Sequence, residues 1–292
     1  MVFSPDVILQ GLISGILIGG IFALLSVGLT LIWGVMRIIN FAHGEFFMVA
    51  MYIVYFLVEK GGWDPYLTLI VSVPLIFLFG VLVYRSTIQP ILADPAMNQI
   101  MLTLGLSIVL SAGAQVLFSA DPLFVVTKYN RLVFNIGPAV VRIPQLIAFV
   151  GSGLTAVLLY LFLQKTDAGR AIRAASQDRT AATLMGIDVE RTFLLAFGLG
   201  SACLGVAASL MISFYYVSPT VGAFFGQITF IIVVLGGMGN FIGALVGGQI
   251  IGLTEALGAA ILPGSLSRVL TFTIFILVLL FKPQGLLSRT RK

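Results

Sequence analysis

The chain carries one histidine, His43, and a glutamate two residues later, Glu45, at the head of an apolar run. A histidine beside a carboxylate can serve as a proton relay, a general acid–base pair or part of a metal site. On a helix, however, positions i and i+2 point about 200° apart. A zinc-protease pair needs two histidines four apart, as in H-E-x-x-H, and no second histidine exists. Neither catalysis nor a metal site is therefore expected. Cys203 is the single cysteine, which excludes an internal disulfide. None of the five lysines follows a glycine, so the G-K-[ST] phosphate loop is missing too. His43, Glu45 and Glu255 remain as ionisable groups in or beside apolar runs. Such groups cost several kcal/mol in lipid and usually face a bundle interior or a wet path.

The elements that hold them are membrane helices. Of the 292 residues, 59% are hydrophobic and 9% charged, and mean hydropathy is +1.12. A soluble domain is about a quarter charged, so this chain reads as an all-α polytopic membrane protein, a bundle of about eight to ten helices. Residues 1–292 are expected to form one domain. Uncharged runs place spans at 7–36, 41–57, 66–84, 98–118 and 144–163. The long run between Arg191 and Glu255 is broken at Ser218-Pro219 and at Gly236–Asn240. That gives three spans, near 193–215, 223–236 and 241–262. A ninth, near 269–281, follows Pro263-Gly264. The 119–143 stretch leaves room for a partial helix.

The net charge of +5 does not indicate nucleic-acid binding, because the excess lies between and after the apolar runs. With the 164–192 loop inside, eleven of the 16 lysines and arginines fall on the cytoplasmic side. Lys60, Lys128, Arg131, Arg142 and Arg268 fall outside. By the positive-inside rule the C-terminus is cytoplasmic. Gly11, Gly15 and Gly19, with Gly243/Gly247 and Gly248/Gly252, give four-residue spacings that allow close helix approach. Spans one and eight are therefore expected to be buried.

Two readings stand for Asn40, His43 and Glu45: a polar clamp, part of a gate, tying the end of span one to the start of span two at the cytoplasmic rim, or a contact with solute or proton. Glu255, expected to lie deeper than Glu45, either bonds a neighbouring helix or marks the translocation path. Gln227, Thr229 and Gln249 add uncharged groups suited to a path for a zwitterion. The 164–192 loop is the one extended hydrophilic stretch inside. It reads as a short amphipathic helix over 171–184, stopped at Gly186, and either a solvated loop or a docking helix.

Thr180-Ala181-Ala182-Thr183-Leu184-Met185-Gly186 resembles the E-A-A-x-x-x-G core of the coupling loop in bacterial ABC importer permeases. Thr180 departs from its glutamate, and the I-x-L-P tail is missing. The stretches GGIFALLSVGLTLIWGVMRIINFAHGEFFMVA at 19–50, AIRAASQDRTAATLMGI at 171–187, LGGMGNFIGALVGG at 235–248 and LLFKPQGLL at 279–287 resemble the LivH-type permeases of branched-chain amino acid importers, in the same order over nearly the whole chain. The resemblance implies a non-catalytic permease subunit of an ATP-driven importer in the bacterial cytoplasmic (inner) membrane. It implies pairing with a LivM-like permease, two LivG/LivF-like ATPases carrying ATP and magnesium, and an external binding protein. No cofactor is implied in this chain. Arg173, Thr180, Ala181, Ala182 and Gly186 would meet the ATPase. The competing reading is a self-sufficient secondary transporter or channel for a small polar solute such as urea or an amide.

Overall fold

The computed structural model describes residues 4–262 and 266–287, without the side chain of Ile136. The Pro263-Gly264 break and the basic residues Arg289, Arg291 and Lys292 lie outside the described residues. The described chain is helical almost throughout. α1 (Pro5–Met36) is followed by α2 (His43–Glu59) and α3 (Leu69–Val83), which continues as a wider and then a tighter turn to Ile91. Then come α4 (Ala96–Phe118), the strands β1 (Val133–Ile136) and β2 (Ala139–Arg142), α5 (Ile143–Lys165), α6 (Asp167–Gln177) and α7 (Arg179–Leu184). α8 (Val189–Met211), α9 (Val221–Gly236), α10 (Phe241–Ile261) and α11 (Leu266–Phe281) complete the order.

Six of these helices are long and apolar enough to cross a membrane: α1, α3 with its continuation, α4, α5, α8 and α10. α1 is the hub. It is apolar on every side, as a helix enclosed by others must be, and from Gly19 to Ile32 every residue is buried. α10 runs antiparallel along it on the glycine seam. A methyl on Gly15 would meet the Leu253 Cα at 2.8 Å, and one on Gly248 the Ala23 Cα at 2.5 Å. α9 and α11 pack on further sides of α10, but one face stays uncovered. Ile242 and Val246 are exposed, so span eight is not enclosed as expected. α8 crosses α1 at Gly28 and Gly200, and α3 lies antiparallel on α8. There Ser72 and Thr68 share hydrogen bonds with Ser209 (2.8 and 2.9 Å).

The 119–143 stretch contains a β-hairpin rather than a partial helix. β1 and β2 pair antiparallel with Ile136 opposite Ala139. The two-residue loop between them begins at Gly137, whose φ of 59° suits a tight hairpin turn. β-branched residues favour this choice over helix. Gln10 of α1 clips the hairpin down, donating to Val140 O (3.0 Å) and accepting from Val140 N (2.7 Å). Beside it, Asp64 accepts from Tyr129 Oη (2.7 Å) and pairs with Lys128 (3.3 Å). Burial acts to raise the Asp64 carboxyl. The Tyr129 and Tyr66 hydrogen bonds and the Lys128 charge outweigh it and hold the group below the usual aspartate range.

α2 and α9 depart from simple crossing. With 17 and 16 residues they are about 26 and 24 Å long, short of the roughly 30 Å hydrocarbon core. Both begin inside the bundle. Their first turns cross at Gly44, Gly222 and Gly226, and from there α2 runs to the hairpin face and α9 to the α6–α7 face.

Candidate functional site

The crossing of α2 and α9 is built from residues that remove bulk. A methyl on Gly44 would lie 2.6 Å from the Gly226 N and Cα and closer still to Gly222 O. Phenylalanines brace the crossing on either side: Phe47 meets Phe225 edge-on at 5.0 Å and Phe41 stacks on Phe230 at 5.6 Å. Neither helix has a side-chain N-cap, unlike α1, α6, α7, α8 and α10. Among the described residues, the first-turn amides of Gly44, Glu45 and Gly222 find no acceptor. Two positive helix ends therefore meet in the interior.

His43 and Glu45 lie at this crossing. His43 Nε2 donates to Leu25 O (3.2 Å), which fixes the proton on Nε2, and Nδ1 is unpartnered. Leu25 lies about three turns before the end of α1, close to the level where α1 meets the middle of α8. The rim position expected for the clamp is thus corrected. After Met36 the chain turns at Arg37 (φ 58°) and runs back into the bundle before α2 starts. The polar residues therefore tie α2 to the middle of α1, not to its end. Asn40 accepts from Ala42 N (3.1 Å) within that returning segment, and its Nδ2 is unpartnered.

Glu45 is 2% exposed and points the other way, as its spacing from His43 requires. Its Oε1 accepts from Ser107 of α4 (3.2 Å), and its Oε2 lies against Gly222 without a hydrogen-bond partner. Three α4 hydroxyls spaced four apart close this side of the crossing. Thr103 Oγ1 donates to Ile39 O (3.1 Å), Ser107 to Glu45, and Ser111 to Pro219 O (3.3 Å). The ion pairs among the described residues are Lys128–Asp64, Arg170–Asp167 and Arg191–Asp188, and none reaches Glu45.

The four path candidates do not gather at one place. Thr229 is buried, whereas Gln227 on the same helix is exposed. Gln249 lies against Gly19 of α1. Glu255 is only half-buried and accepts from Thr271 Oγ1 of α11 (2.6 Å). It is therefore the less buried of the two glutamates, because the face of α10 that carries it looks to α11 and not to the α1 seam. Among the described residues no group of three His, Cys, Asp or Glu residues could hold a metal ion.

The 164–192 loop forms two helices where one was expected. Asp178 interrupts the run because its carboxylate caps α7, accepting from Ala181 N (3.0 Å). Gly186, at φ 80°, does end α7. Ala182 is buried under α7, whereas Thr180, Ala181, Leu184 and Met185 are exposed. Arg173 of α6 turns inward, donating to Gln164 Oε1 (2.7 Å) beside a cavity of about 200 Å³ that Thr30 also lines. Sequence reasoning missed Arg179. Its guanidinium donates to Met36 O, the end of α1, and lies 4.8 Å from the Phe193 ring centroid. Burial, and then the Arg37 charge, push Arg179 below the ordinary arginine value. A basic residue directly after a helix cap gave no signal that it reaches another helix.

The chain is similar in sequence to known permease proteins over almost its whole length. The family model described as branched-chain amino acid transport system / permease component matches residues 11–279. The high-affinity branched-chain amino acid transport system permease protein BraD of Pseudomonas aeruginosa is 31% identical over 301 residues, covering 96% of each chain. LivH of Escherichia coli K12, a permease protein of the same description, is 29% identical over 295 residues, again 96% of each. The probable branched-chain amino acid transport permease protein LivM of Methanocaldococcus jannaschii is 26% identical over 205 residues, 60% of this chain and 59% of that one. No solved structure matches.

Proposed function

The chain belongs to the branched-chain amino acid transport permease family, and from that premise we propose that it acts, as one domain, as a permease subunit of an ATP-driven importer. Its cargo in this reading is a branched-chain amino acid or a related small polar solute. One observation carries the reading. The family match spans residues 11–279 of a multi-pass bundle whose one helical excursion, α6–α7, presents Leu184 and Met185 83% and 81% exposed. Apolar side chains held out on a short capped helix suit a groove on another protein.

The partners follow from what this chain does not supply. With no lysine after a glycine, ATP and magnesium are assigned to two LivG/LivF-like ATPases, received at α7. A LivM-like permease completes the path, and an external binding protein delivers solute at the hairpin face. The chain itself does no chemistry. The basic residues of α6 and α7 support an inner-membrane orientation with those helices and the C-terminus in the cytoplasm. Arg179 ties α7 to the end of α1 and so to the segment that re-enters toward His43 and Glu45. A push at α7 has a short route to the crossing, where the Asn40–His43–Glu45 cluster acts as clamp and gate. Gln227, Thr229, Gln249 and Glu255 are not assigned one shared pocket.

The test is reconstitution in liposomes. Uptake of labelled leucine should need this chain, its partner permease, the ATPases, ATP and the binding protein. Uptake by this chain alone, driven by an ion gradient, would instead establish the secondary-transporter reading.

A further inference from the structure

Within that importer reading, we infer that the crossing of α2 and α9 is a binding site for a zwitterionic solute, with Glu45 as the acceptor of its ammonium group. The inference rests on four independent features of one spot. First, Glu45 is a carboxylate 2% exposed with one oxygen unpartnered and no cation of the described chain paired to it. An unpaired carboxyl in a bundle interior is costly to ionise and marks a place where a counter-charge arrives. Second, that free oxygen lies against Gly222, in the first turn of α9. Third, the first-turn amides of Gly44, Glu45 and Gly222 have no acceptor, so two uncapped helix ends offer N–H groups to an anion. Fourth, between the bracing phenylalanines the contact is lined by small and hydroxylated residues: Gly44, Gly222, Gly226, Ser107 and Ser111.

The arrangement is complementary to a solute carrying both charges a few ångströms apart. While the site is empty, the helix ends stabilise Glu45 themselves. When a zwitterion enters, its ammonium pairs with Glu45 and its carboxylate takes over the helix ends. Broken helices with termini aimed at a solute at mid-depth solve the same problem elsewhere in membrane transport. A solute with only one of the two charges leaves either Glu45 or the helix ends uncompensated. The site is closed in this structure. The wall with least packing is α4, of which Thr103 and Ala114 are the buried residues and which is held at the crossing by the three hydroxyl bonds.

The experiment uses the reconstituted complex with leucine as the probe. Glu45→Gln keeps an acceptor for Ser107 and removes the charge. It is expected to copurify with its partners. Leucine uptake should fall by roughly thirtyfold or more, the scale of losing one partner of a buried charge pair, and Glu45→Asp should recover most of it. Wild-type uptake by Glu45→Gln overturns the site. So does a parallel fall of uptake and ATPase stimulation in an assembled complex, which would mark Glu45 as structural. If Glu45→Gln does not assemble, the wild-type complex decides. Carbodiimide labelling of Glu45, read by mass spectrometry, should be slowed more by leucine than by isoamylamine or 4-methylpentanoate, which each carry one charge. Equal labelling in all three overturns the site. A wild-type complex that takes up neither a branched-chain amino acid nor a related small polar solute overturns the importer reading instead, and the labelling still tests the site.

Discussion

Gly44→Ala is the sharpest test of the architecture, because the added methyl has backbone on both sides. Its Cβ would lie 2.6 Å from the Gly226 N and Cα, where ordinary contact begins near 3.4 Å. A flexible side chain could swing away, but Gly222 O and Gly226 belong to the first turns of α9. The two helices must therefore part by about 1 Å, in an interior packed as densely as a crystal. Overpacking of this kind costs about 1–3 kcal/mol even where side chains can adjust, so the upper end applies. α4 bridges both sides of the crossing, through Ser107 to Glu45 (3.2 Å) and Ser111 to Pro219 O (3.3 Å), so a separation of the two sides strains these bonds together. Thermal unfolding of the purified protein in nanodiscs should show a melting temperature lower by several degrees. Leucine uptake by the assembled importer should fall at least about tenfold, a factor worth 1.4 kcal/mol. Gly105→Ala is the control. Its methyl meets nothing within 4 Å, and alanine favours the helix by about 0.5–1 kcal/mol. If Gly44→Ala melts and transports like the wild type, α2 and α9 do not cross at their first turns.

Three further expectations follow from the geometry. Arg179→Gln removes a charge-assisted bond to Met36 O, worth about 1.5–3 kcal/mol; the ATPases should still copurify, but leucine transported per ATP hydrolysed should fall about tenfold, and unchanged coupling would disprove the α7–α1 link. Glu255→Gln should assemble and transport close to wild type, since the glutamine oxygen still accepts from Thr271; loss of uptake with intact assembly would put Glu255 on the path. The Asp64 carboxyl is held below its usual range, so its stabilising contribution is fully present above the unfolded-state value and is lost as pH falls through the lowered folded value. Hydrogen exchange of the 123–142 segment should quicken over that acidic window in the wild type, and Asp64→Asn should flatten the change; an unaltered profile would show that Asp64 does not hold the hairpin face.

Uncharged length and turn residues gave nine helices close to their observed places, because those signals are local. The resemblance over 19–50, 171–187, 235–248 and 279–287 gave the family. Depth was not legible. His43 and Glu45 follow Arg37 by a few residues, and a charge count places such residues at a rim. The left-handed turn at Arg37 and the return of the chain into the bundle reverse that placement, and neither has a hydropathy signature. The same holds at 212–220, where Ser218-Pro219 reads as an outer loop while Ser111 of α4 reaches Pro219 O. The burial of Glu255 is illegible for a related reason: sequence distance from a helix end does not report which neighbour covers the side chain. The α7 cap at Asp178 was readable from type and spacing, and its effect of splitting the loop into two helices was underweighted against the alanine-rich run.

The strengths of the contacts show where this bundle can move. α1 meets α8 and α10 largely through glycine against backbone, with few polar groups to exchange, and seams packed this closely have little freedom to shift. α4 is attached at the crossing in a different way. Its hydroxyls make hydrogen bonds to Ile39 O, Glu45 and Pro219 O, each of the kind that contributes on the order of 1 kcal/mol between membrane helices. Water or a zwitterion can replace such bonds one for one, whereas nothing replaces a glycine seam. A solute reaching Glu45 therefore meets a wall whose bonds it can itself substitute. α7, latched to the end of α1 through Arg179, pulls on the segment that α4 holds at Ile39. In the proposed importer, entry of solute and movement at α7 would thus act on the same α4 hydrogen bonds, from opposite ends.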